Sequence, residues 1–181
     1  MYSELVAISW IIFIVAWVAG GRSSGGQNRG RSSIKSILFR FIVITFVLVL
    51  FLIPPVFSPA RAVSALNAIG VAFAFFGVTL AVVSRWYLGK NWGAPQFIGE
   101  AHGFVGSGPY RHIRHPIYAG ALLALLAACL VHSIIWFIPL ILFYGYFARS
   151  IQTEEKLLTE RFPCQYARYQ ARTKKLIPLI F

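Results

Sequence analysis

The sequence predicts an all-α fold, a multi-pass transmembrane helical bundle of about five spans whose last two form a short hairpin. Three observations carry this. Of 181 residues, 58% are hydrophobic and 12% charged, whereas soluble domains run nearer ~45–50% apolar and ~25% charged. The mean hydropathy is +0.71. The 17 basic residues, which give a formal charge of +12, fall between apolar runs. That is the pattern of membrane topology and not of a nucleic-acid surface, so no nucleic-acid partner is expected. Sixteen Phe, eight Tyr and five Trp suit a chain with lipid as solvent. Disorder, collagen and a disulfide-stapled module are excluded, which leaves one integral membrane domain over 1–181.

The first apolar run is Leu5–Gly20. The residues before it carry Glu4 and no Lys or Arg, unlike a secretory signal with its basic leader. Ser23–Ser33 is rich in Gly, Ser and Arg and reads as a flexible linker facing lipid phosphate. Ile37–Phe57 is the second span, ended by Pro54-Pro55. Val63–Val83 is the third, and its Gly70/Ala74 and Gly77/Ala81 pairs allow another helix to approach closely. The last apolar region, Tyr118–Phe147, is interrupted by His132-Ser133. Two short helices follow, Tyr118–Val131 and Ile134–Phe147, each shorter than the usual ~17–25 residues of a lipid-exposed span.

The basic residues orient these spans. Arg22, Arg29, Arg31, Lys35 and Arg40 follow the first span; Arg61 alone follows the second. Arg85, Lys90, Arg111 and Arg114 follow the third, and Arg149, Lys156, Arg161, Arg168, Arg172, Lys174 and Lys175 follow the fifth. The positive-inside rule therefore puts the N-terminus outside, with the long third loop and the C-terminal tail in the cytoplasm.

The acids are Glu4, Glu100, Glu154, Glu155 and Glu160, and there is no Asp. A Ser-His-Asp triad is excluded, and an acidic metal cage has few ligands to draw on. Cys129 and Cys164 make no CxxC spacing for zinc. His102, His112 and His115 invite a metal, but no Asp or Cys lies near, and Pro116 favours an extended His115. No metal is expected. The glycines of 103–108 lack the strand–helix context of a dinucleotide fingerprint.

Two predicted cytoplasmic segments concentrate specific polar residues, Arg85–Tyr118 and Arg149–Pro178. The first combines many turn residues with Trp86, Tyr87, Trp92, Phe97, Phe104, Tyr110 and Tyr118, an aromatic content that indicates a folded loop. Its string 108–120, GPYRHIRHPIYAG, resembles the signature of the isoprenylcysteine carboxyl methyltransferase family and of the related phospholipid N-methyltransferases. The likeness runs upstream through LGKNW (88–92) and HGFV (102–105), and downstream through Glu154-Glu155, Leu158, Phe162, Tyr166, Tyr169 and Ile177-Pro178.

The resemblance implies a membrane methyltransferase that uses S-adenosylmethionine and a lipophilic acceptor drawn from the bilayer. It implies a cytoplasmic loop and C-terminal helix that hold the cofactor, through His102, Gly103, Phe104, Val105, Tyr110, His115, Pro116, Ile117, Tyr118 and Glu154. Aromatic faces suit the adenine and the sulfonium; Glu154 suits the ammonium, and Arg114 and His115 suit a carboxylate. Arg114, His115 and Arg149 are the matching candidates for catalysis, although Arg149 sits one position off the register of an acceptor-contacting Arg in some relatives. Glu155 has a structural role in this reading, and Leu158, Phe162, Tyr166 and Tyr169 pack the tail. Pro163 follows Phe162 where the resembling sequences commonly have Gly, so a helix should restart there. Two other functions fit a membrane scaffold of this kind, a sterol-type reductase with a nicotinamide cofactor and a non-enzymatic protein.

Overall fold

The computed structural model describes residues 1–20, 64–89 and 105–177. Among them the chain is helical, with α1 (Tyr2–Gly20), α2 (Ser64–Leu88), α3 (Pro116–Val131), α4 (Phe137–Arg161) and α5 (Pro163–Gln170). Three stretches are long and apolar enough to cross a membrane: Tyr2–Ala19, Ala65–Leu88 and Ile134–Arg161. The second span of the sequence reading, Ile37–Phe57, lies outside the described residues.

Small residues set the centre of the bundle. Gly70, Ala74, Gly77 and Ala81 are all buried along one face of α2, the face that meets an antiparallel α3. A Cβ on Gly77 would stand 2.5 Å from the Gly120 carbonyl oxygen, and one on Gly120 would strike the Gly77 carbonyl in return. The backbones touch here, and only glycine on both helices permits it. Around this contact Val6 and Trp10 of α1, Ala74 and Val78 of α2, Ala124, Leu125, Ala127, Ala128 and Cys129 of α3, and Trp136 form the apolar core. Ser9 and Ser84, both buried, turn their hydroxyls back to the carbonyls of Val6 (2.7 Å) and Leu80 (2.5 Å) in their own helices. Neither hydroxyl is left unpaired in an apolar setting.

Arg85, near the end of α2, lies 4.5 Å over the Trp17 ring, near the end of α1. The two helices thus run parallel. The outward faces stay apolar: Ile11, Val15 and Val18 on α1, Phe76 on α2, and Ile138, Ile141 and Leu142 on α4 are exposed, as lipid-facing positions would be.

The hairpin turns where the sequence places it. His132 caps α3 through its N–H to the Ala128 carbonyl (2.9 Å), and Ser133 is extended at φ −166°. The Ser133 hydroxyl accepts from the Ile135 N–H at 3.2 Å, starting a 3-10 turn over Ile134–Trp136 that leads into α4. The second arm differs from the expected short helix. It does not stop at Phe147 but continues through Arg149 to Arg161 as one 25-residue helix, about 37 Å long at ~1.5 Å per residue. Nothing between Phe147 and Glu160 breaks a helix, and hydropathy marks only where its surroundings change. The break comes at Phe162 (φ −126°), and α5 starts on Pro163 as the sequence predicts.

Candidate active site

The polar centre forms where α3 begins and the second half of α4 passes it. Gly108, at φ +59°, turns the incoming chain under the Tyr87 ring, where any side chain would clash. A 3-10 turn over Gly108–Arg111 then buries Tyr110. Residues 113–115 run beside the tail that follows α5, with Ile113 paired in parallel to Lys174. The Arg114 N–H donates to the Lys174 carbonyl (2.7 Å) and the His115 N–H to the Lys175 carbonyl (3.0 Å). The Lys174 N–H donates back to His112 (3.4 Å). Pro116, buried, opens α3 at the position where its missing N–H costs nothing.

Four ionisable side chains meet there. Arg114 Nε donates to Glu155 Oε1 at 2.7 Å, and its Nη1 donates to the Thr173 carbonyl at 2.5 Å and to the Gln170 carbonyl at 3.4 Å. His115 places Nδ1 3.4 Å from Glu154 Oε2 and Nε2 3.4 Å from Glu155 Oε1. The Tyr118 hydroxyl donates to Glu154 Oε1. The rings are stacked, His115 on Tyr118 at 5.7 Å and Tyr118 on Phe147 at 4.5 Å between centroids. Tyr169 on α5 donates its hydroxyl to the Tyr110 carbonyl at 2.7 Å.

α4 supplies its share because Phe147, Ile151, Glu154 and Leu158 recur at helical spacing on one face. Burial pushes the Glu155 carboxyl up, but hydrogen bonds from His115 and Arg114 and their positive charges outweigh it and hold it at about 2. Burial pulls the His115 imidazole down, yet the bonds to Glu154 and Glu155 and their charges leave it raised overall. Burial, with Glu154 near, pushes the Tyr110 phenol well up, so it stays a neutral hydrogen-bonding group.

Of the residues singled out in the sequence, the structure brings His115, Tyr118 and Glu154 into direct contact and joins Arg114 to His115 through Glu155. Tyr110 is tied to them through α5, Pro116 is buried beside them, and Ile117 and Val105 are half-buried. His102, Gly103 and Phe104 lie outside the described residues. Arg149 is exposed on α4. Five positions before Glu154, it points roughly 140° away around the helix axis, so the described cluster forms without it. His112 is exposed while His115 is buried, and among the described residues no group of three His, Cys, Asp or Glu could hold a metal.

Sequence reasoning missed Phe147, Thr173 and the Tyr169–Tyr110 bond. Phe147 could have been found, since it falls on the Ile151–Glu154–Leu158 stripe. The carbonyl of Thr173 and that of Tyr110 act through backbone, which residue type does not reveal.

A family model described as phospholipid methyltransferase matches residues 66–165, more than half of the chain. The chain belongs to the phospholipid methyltransferase family. It is a membrane methyltransferase by that membership, and the matched region holds the α2–α3 contact, the Arg114–His115 turn and Glu154-Glu155. No curated protein sequence matches the chain.

Proposed function

We propose that this chain transfers a methyl group from S-adenosylmethionine to a lipophilic acceptor at the cytoplasmic edge of the membrane, with the N-terminus on the opposite side and the tail in the cytoplasm. The observation that carries the reading is the state of Glu154. Its oxygens meet Tyr118 and His115, one apiece, and its side chain keeps 24% of its surface, against 6% for His115 and 13% for Glu155. A carboxylate oxygen accepts two hydrogen bonds, so Glu154 retains lone pairs on its open side. Those suit an ammonium, and the edge of Tyr118 with the Phe147 ring stacked on it supplies aromatic surface beside it for an adenine or a sulfonium. The residues present fit the cofactor, with Glu154 on its ammonium and the Tyr118–Phe147 stack at its rings; the resemblance adds 102–104, which lie outside the described residues.

When bound, S-adenosylmethionine supplies a methyl group whose carbon–sulfur bond breaks as an acceptor lone pair forms the new bond, leaving a neutral thioether. The chain's residues bind, align and keep water out, which is where the rate comes from in a displacement of this kind. Arg114 is already committed to Glu155, Thr173 and Gln170. It acts by fixing the tail against the α3 turn. Arg149, exposed beyond the apolar half of α4, is placed to meet an acceptor headgroup at the membrane surface.

For the acceptor, the signature string favours a carboxylate on a prenylated cysteine. A phospholipid amine is the second reading, favoured by the family match. Purified protein incubated with labelled S-adenosylmethionine and total membrane extract tests the function. Label that alkali releases as methanol supports the first acceptor, and label that alkali leaves on a headgroup amine supports the second. No lipophilic product overturns the proposal, and reduction of a lipid with a nicotinamide cofactor would replace it.

A further inference from the structure

We infer that His115 is a positioning residue that stands in the site as an imidazolium, holding Glu154 toward the cofactor and taking no proton from the acceptor. The inference rests on the reading of Glu154 as the group facing the cofactor ammonium. Both ring nitrogens face carboxylate oxygens, Nδ1 toward Glu154 and Nε2 toward Glu155, each at 3.4 Å. A neutral imidazole carries one N–H and one lone pair. Either tautomer would set that lone pair against a carboxylate lone pair inside a buried site. Only the doubly protonated ring gives each carboxylate a donor.

The ring has little freedom to escape this. It stacks on Tyr118 with 10° between planes, its backbone N–H is held by Lys175, and its carbonyl accepts from Ala119 at 3.0 Å. The groups around it come from every neighbouring element among the described residues. α4 presents Glu154 and Glu155, the segment leading into α3 presents Arg114, and α3 presents Tyr118. The 3-10 turn presents Tyr110, α5 presents Tyr166 and Tyr169, and the tail presents the Lys175 carbonyl. Two carboxylates thus face two cations, Arg114 and His115, and the cluster is neutral only while His115 is charged. The raised proton affinity of the ring agrees with this count.

The test is made on full-length protein in detergent, labelled with 15N-histidine and free of cofactor. The His115 signals are assigned by their loss in His115→Gln. The expected result is that both ring nitrogens carry protons at pH 7.5, where a free histidine is mostly neutral. Glu155→Gln should lower the titration midpoint by about one unit or more. Should Glu155→Gln not fold, Glu154→Gln, which leaves the Arg114–Glu155 pair in place, gives the same shift. S-adenosylmethionine affinity in the parent should fall as pH rises through the His115 midpoint, and in Glu155→Gln the fall should begin correspondingly lower. The titration of the ligand's own amine is common to both proteins and cancels in the comparison.

A bare ring nitrogen at pH 7.5 in a parent that binds the cofactor overturns the inference and leaves the methyltransferase reading standing. So does a midpoint unmoved by either Glu variant. A parent that binds no S-adenosylmethionine at any pH overturns that reading, and the positioning role with it.

Discussion

Arg114 and Glu155 lie 41 residues apart in sequence and meet at 2.7 Å, with side chains only 9% and 13% exposed. The same guanidinium reaches the carbonyls of Gln170 and Thr173. One side chain therefore joins the entry to α3, the far half of α4 and the tail beyond α5. Removing one partner of a buried pair leaves the other charged and unpaired, at a cost of about 3–5 kcal/mol. Arg114→Ala should lower unfolding stability in detergent by that order. Arg114→Lys should recover only part of it, because an ammonium cannot reproduce the forked geometry. The Arg114→Ala, Glu155→Gln double variant should lose less than the sum of the singles. Additive losses would show that the pair does not couple these elements.

The pair also sets an acid limit. Glu155 is held at about 2 against an ordinary 4.5, so its folded-state pKa is depressed. Its contribution is fully present above about 4.5 and is lost as pH falls toward about 2. Thermal unfolding of the parent and Glu155→Gln, followed from pH 6 to pH 2, should show a difference that is constant at first, shrinks below about pH 4.5 and vanishes near pH 2. A difference unchanged down to pH 2.5 would mean the carboxylate contributes through shape alone.

Much of this architecture was legible in the sequence because lipid imposes a simple rule on residue type. The α2 small-residue pairs, the His132–Ser133 turn and the restart at Pro163 are each local signals, and each is where the structure has it. The second arm of the hairpin was misjudged for the same reason. Hydropathy reports the surroundings of a residue, and α4 keeps its helix while passing from an apolar to a polar setting at Arg149. The site was half legible. A motif could single out Arg114, His115, Tyr118 and Glu154, but the carbonyls of Thr173 and Tyr110 are recruited by folding, and no side-chain pattern announces them.

The glycine contact gives a contrast within one protein. A Cβ at Gly120 would overlap the Gly77 carbonyl, whereas one at Gly145 meets nothing within 4 Å. Gly120→Ala should force α2 and α3 apart and cost about 1–3 kcal/mol, the usual range for overpacking. Gly145→Ala, in the interior of α4, should be neutral or stabilising by up to about 1 kcal/mol. Thermal unfolding of the two variants side by side decides it, and equal effects would contradict the close backbone approach.

Orientation is testable without any assay of chemistry. The basic residues after the first, third and fifth spans outnumber Arg61 on the other side, so a reporter fused after Phe181 should read cytoplasm and one placed before Met1 the opposite side. Both reporters on one side would require an even number of crossings. That would remove the predicted span at Ile37–Phe57 or add another.

The last prediction separates the proposed cofactor contact from charges on the tail surface. Glu154→Gln preserves size and the bond from Tyr118 but removes the negative charge that faces the proposed ammonium. Loss of a charge-assisted hydrogen bond is worth about 1.5–3 kcal/mol, or roughly ten- to a hundredfold in S-adenosylmethionine affinity. Arg168, exposed on α5, is a charged control away from the proposed ammonium contact. Arg168→Gln should leave affinity within about twofold, since an exposed charge contributes ~0–1 kcal/mol. Direct titration of both variants in detergent distinguishes the cases. If Glu154→Gln binds as the parent does, the ammonium is held elsewhere, and the stack of His115, Tyr118 and Phe147 then serves packing between α3 and α4.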